Sequence, residues 1–100
     1  MATATKVLAR TAAATSSTTL YTVPAATTTV VSNIAVTNTA ASSATYTITL
    51  NGVAIQSGSS IAANTTAYID LKQVLNATQI IAGSASATTV NFHISGVEIS

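Results

Sequence analysis

Between residues 28 and 56, apolar and polar side chains alternate with a period of two, the spacing that places them on opposite faces of an extended chain. Val30, Ser32, Ile34 and Val36 fall on one face of a first segment. Tyr46, Ile48 and Leu50 share a face of the next, with Thr45, Thr47 and Thr49 behind them. Asn51-Gly52 then supplies the residues that a two-residue type I′ turn needs, which predicts a hairpin with Leu50 opposite Val53 and Ile55 continuing the apolar face. These segments form a predicted β-meander.

The rest of the chain reads as further short strands. Residues 20–25 (LYTVPA) form one that Pro24 ends, because proline cannot donate to a ladder. Residues 38–44 and 56–60 are small and polar, as loops are. A turn at Ala63-Asn64 leads into residues 67–71, where Ala67, Ile69 and Leu71 share a face. Residues 72–76 fit a single helical turn, too short to stand alone. Residues 79–82 read as a buried strand, 83–87 as a turn, and 88–94 as a strand with Val90, Phe92 and Ile94 inward. Val97 and Ile99 then fall out of phase, so Gly96 is the expected site of a β-bulge. The expected fold is all-β, a single antiparallel β-sandwich or jelly-roll-like domain of seven or eight short strands over residues 18–100.

Residues 1–17 are low in complexity and carry two of the three basic residues. They are expected to form an extended or flexible arm, or an edge strand through residues 7–9. As an arm they would dock on a neighbouring subunit, with Lys6, Val7, Leu8 and Arg10 as the partner-binding candidates.

Composition changes the picture chiefly through what is scarce. Charged residues make up 5% of the chain, against roughly 25% in an average domain, while about half the residues are Ala, Thr or Ser. Alanine stabilises little on burial, large apolar side chains are few, and no disulfide is possible without Cys. A formal charge of +1 gives little repulsion between copies and little to blunt strand edges. The chain is therefore expected to share its surface with copies of itself, as a homotrimer or a larger shell. The near-neutral balance argues against nucleic acid or anionic lipid as partners. The absence of an apolar run near 18 residues, and of a signal-peptide core, points to synthesis in the cytosol and no membrane span.

Candidate chemistry is sparse. His93 with Asp70 or Glu98 and any Ser makes a nominal triad, but no spacing supports it and no Gly-x-Ser-x-Gly elbow is present. With one His and no Cys per chain, a metal site from His93, Glu98 and Asp70 would need an oligomer axis. No catalytic, cofactor or metal residue is assigned. His93, between inward Phe92 and Ile94, should point out of the sheet. The row Thr45, Thr47, Thr49 is the ordinary decoration of a solvent face. The two N-x-Thr sequons, at Asn64 and Asn76, are what chance produces in a chain this rich in Thr.

With LYTVPA at 20–25, the Thr/Val run 27–31, the segment 33–38 and the ending that closes on Gly96-Val97-Glu98-Ile99, the chain resembles short virion structural proteins of tailed bacteriophages. These include decoration and tail-associated proteins. It departs from them at Ala26, where they often carry Gly, and in a shorter stretch between the second and third strands. The resemblance implies a non-enzymatic particle component, an intertwined β-sandwich trimer assembled in the host cytoplasm and carried in the virion. Two places fit: a capsid decoration or cement protein bound to the major capsid protein, or a tail- or fibre-associated module among tail proteins. A carbohydrate- or surface-binding module ranks third, because there is no Trp and the three Tyr are spread over separate strands.

Overall fold

The computed structural model describes residues 3–100, so Met1 and Ala2 of the expected arm lie outside the described residues. The described chain forms eight strands and no helix: β1 (Thr3–Ala12), β2 (Thr18–Thr22), β3 (Thr28–Asn38), β4 (Ala44–Leu50), β5 (Val53–Ile61), β6 (Thr65–Leu75), β7 (Ile80–Ala85) and β8 (Val90–Ile99). They pair antiparallel in two four-stranded sheets, sheet A in the order β1-β8-β3-β6 and sheet B in the order β2-β7-β4-β5. Read across the two sheets, these orders are those of a folded ribbon of strands wrapped into a jelly roll.

Alternation explains the core. Tyr46, Ile48 and Leu50 of β4, Ile81 of β7 and Val90, Phe92 and Ile94 of β8 are all buried between the sheets, and the Tyr46 and Phe92 rings meet edge to face. The turn at Asn51 (φ 50°) and Gly52 (φ 81°) is left-handed at both residues, as a type I′ hairpin requires, and Leu50 pairs with Val53. Ile55 is half-buried against the core.

The expected meander does not form, because β3 lies in sheet A and β4 and β5 in sheet B, and several segments differ from the expectation for reasons of register. On β3 the inward residues are Thr29, Val31, Ile34 and Val36, while Ser32 is exposed. Between Val31 and Asn33 the strand carries one residue more than β8, so the apolar side changes phase within β3. Gly96 is therefore not the bulged residue of β8. The extra residues lie on its neighbours, Ser32 on β3 between the partners of Gly96 and Ser95, and Leu8 on β1 between the partners of Ser95 and Ile94. Residues 56–60 belong to strand β5, which bends through Gly58 (φ 57°), where the Gly58 N–H donates to Thr47 Oγ1 at 3.0 Å. Residues 72–75 continue β6 as strand rather than a helical turn, because ladder pairs from Gln73 to Leu75 tie them to β3. Strand β7 runs on through Ala85, beyond the turn expected from residue 83.

Two edge strands use the same packing device. Leu8 is the surplus residue of β1 and its Cδ1 lies 3.0 Å from where a Cβ on Gly96 would stand, a position that would also strike the Val30 carbonyl oxygen. Leu20 is the surplus residue of β2 and its Cδ1 lies 3.0 Å from the corresponding point on Gly83. Each bulged leucine folds over a residue with no side chain, which lets it enter the core from an edge.

Candidate functional site

Residues 3–12 are extended, but as a strand paired with β8 and not as an arm free of the sandwich, which thus begins before residue 18. This separates the four expected contact residues. Leu8 is buried in the core. Lys6 shares the inner face of sheet A with its partner Gly96, and its Nζ lies 3.2 Å from Glu98 Oε1. Val7, opposite Ser95, and Arg10, opposite His93, remain exposed on the outer face.

The Lys6–Glu98 contact belongs to a polar cluster at one end of the sandwich. Tyr21 of sheet B donates its hydroxyl proton to Glu98 Oε2 and lies 2.9 Å from Thr29 Oγ1, so the phenol ties both sheets together. Burial and the adjacent carboxylate raise the Tyr21 hydroxyl above its usual pKa of 10.0. The Tyr21 hydrogen bond, with help from Lys6, lowers Glu98 from its ordinary 4.5. Each of these side chains has a hydrogen-bond partner within the cluster, with the Lys6 amine at its half-exposed rim.

A second polar node lies at the other end. The Asn38 side chain is fully buried, and its Nδ2 donates to the carbonyls of Ser42 (2.8 Å), Ile61 and Ala62 (3.4 Å each). Its Oδ1 accepts from the Ala40 N–H at 3.1 Å and from Thr89 Oγ1 at 3.3 Å. One amide thus holds together the ends of β3 and β5 and the loops around residues 40 and 89. Reading residues 38–44 as a plain polar loop missed this anchor. The signal available was an Asn at an inward position in phase with Ile34 and Val36.

The nominal catalytic groups are not assembled. His93 projects from the outer face of sheet A, as its place between Phe92 and Ile94 implies, while Asp70 stands on β6, beyond the intervening β3. Two strand spacings, about 9.6 Å, separate them. Glu98 is turned to the Tyr21 cluster. Among the described residues, no three His, Asp or Glu side chains come close enough to hold a metal ion.

What the fold does present is two broad outer faces, that of sheet B free of charged strand residues and that of sheet A carrying Arg10, Asp70 and Lys72. The strands of sheet B contain no charged residue, and their outer side is hydroxyl and methyl, with Thr47 beside Ser84 and Thr49 beside Ala82. The outer face of sheet A is built in cross-strand rows. One row runs Thr5, Val97, Val30, Val74, and another Arg10, His93, Ala35, Tyr68. Between them lie Val7, Ser95, Asn33 and Asp70. Val7, Tyr68 and Val74 are among the few large apolar side chains left in solvent, with Tyr68 72% exposed. Single exposed apolar residues are unremarkable, but these share one face.

No known protein family matches this chain, and no curated protein matches it significantly in sequence.

Proposed function

We propose that this chain is a non-enzymatic structural protein of a tailed-bacteriophage particle, seated as a trimer on the outside of the capsid as a decoration or cement protein. The observation that carries the reading is the distribution of charge. Of the five charged side chains, Lys6 and Glu98 are paired with each other, and sheet B has none, leaving wide surfaces of small hydroxyl and methyl groups around a jelly-roll core. Such surfaces hold few charges to desolvate, and their hydroxyls can be buried where they find partners across a contact, so they suit lasting contact with copies of the chain and with a shell more than they suit turnover of a substrate. The jelly roll itself is compatible with this use and with many others.

Contact with the major capsid protein then falls to the sheet faces, since β1 is committed to the sandwich. The protein is made in the host cytoplasm and carried in the virion. Copy number tests the reading. Quantitative mass spectrometry of purified particles should find hundreds of copies per particle. A dozen or fewer would place the chain in the tail, and none would remove the particle reading.

A further inference from the structure

Resting on the trimer just proposed, we infer that the outer face of sheet A is the surface through which copies meet, with Arg10 of one copy received between Tyr68 and Asp70 of the next. Arg10 stands on β1, one edge of the sheet, and Tyr68 and Asp70 stand on β6, the opposite edge of the same face. Tyr68 lies in Arg10's own cross-strand row and Asp70 in the adjacent row. An exposed aromatic ring beside a carboxylate is a receptor for a guanidinium, which stacks on the one and hydrogen-bonds the other. Lys6–Glu98 is the one ion pair among the described residues, so neither Arg10 nor Asp70 has an ion-pair partner among them. Lys72 lies two residues beyond Asp70 on the exposed side of the same strand, which moderates the attraction without changing its sign at Tyr68.

The edges favour faces over strand addition. The β1 ladder is interrupted at Leu8, and the β6 ladder slips between Asp70 and Gln73, so neither offers an unbroken row of hydrogen-bonding groups. Complementary groups on opposite edges make a head-to-tail contact, which closes into a ring when the rotation allows. In such a ring Val97 and Val30, on the two central strands, face the neighbouring copies, and Arg10 meets Tyr68 and Asp70 at each contact.

Sedimentation of the full chain at micromolar concentration tests the contact through four proteins: the wild type, Arg10→Asp, Asp70→Arg and the double swap, each checked for an unchanged far-UV spectrum. The wild type and the double swap should run as three copies, and each single variant should associate at least tenfold more weakly. Single variants that assemble like the wild type, or a double swap that fails to recover, would overturn the contact while leaving the particle reading standing. A wild type that stays monomeric would overturn both. Mixing the two single variants separates the symmetries, because a ring of three always retains one like-charged contact and should not recover. Recovery as a two-copy species would overturn the ring.

Discussion

Asn38→Ala removes one fully buried side chain and five hydrogen bonds while leaving no new group to accommodate. The bond to Ser42 is short, and those to Ile61 and Ala62 are long and share the two amide protons with it. The main loss is therefore the Ser42 carbonyl, the Ala40 N–H and Thr89 Oγ1, each left buried or half-buried without its partner. Net hydrogen bonds contribute about 1 kcal/mol each, and an orphaned buried group costs ~1–3 kcal/mol. Allowing for water entering the vacated space, the variant should lose about 2–4 kcal/mol. For a chain of this size that corresponds to roughly 8–30 °C in Tm. Urea unfolding followed by near-UV absorbance, at one fixed protein concentration because assembly adds to apparent stability, measures it as a fall in midpoint at constant slope. A loss below about 0.5 kcal/mol would refute the view that this amide anchors the β3 and β5 ends.

Other predictions concern the backbone and the Tyr21 cluster. Ala26 holds φ 57°, a left-handed conformation that glycine adopts without steric cost, so Ala26→Gly should raise stability by about 0.5–1 kcal/mol in the same urea assay. Glu98 is lowered in the folded state, so its contribution is present above its ordinary 4.5 and is lost as pH falls through the folded value. Tyr21 is raised, so its contribution is complete below 10.0 and is lost as pH climbs through the folded value. Stability should therefore be flat between these limits and fall outside them, and Tyr21→Phe should flatten both flanks of a melting-temperature profile. A profile unchanged by Tyr21→Phe would show that the phenol does not couple the two groups.

Where one period ran unbroken, the sequence was readable. β4, the Asn51-Gly52 hairpin and the inward set Val90, Phe92 and Ile94 follow directly from alternation and turn chemistry. Phase changes were legible only as anomalies. The misfit of Val97 with Ile94 did not mark a bulge in β8, which runs without one and turns Val97 outward; the surplus residues lie on the flanking strands, from residues 3–12 and 28–38, far away in sequence. Residues 56–60 and 72–75 look like loop and helical turn by composition, yet pairing with β4 and β3 imposes strand on them. The same limit applied to the contact residues. Lys6, Val7, Leu8 and Arg10 look alike as a basic-apolar cluster, and only the bulge at Leu8 sends one into the core and leaves Val7 and Arg10 on the outer face.

Light scattering of the isolated wild-type protein over a range of concentrations tests most directly whether this charge-poor sandwich is built to share its surface. A scattering mass of about 30 kDa, three times the 9.9 kDa chain, that persists to low micromolar concentration is the expected result. A mass of one chain at every concentration, with full thermal stability, would contradict it.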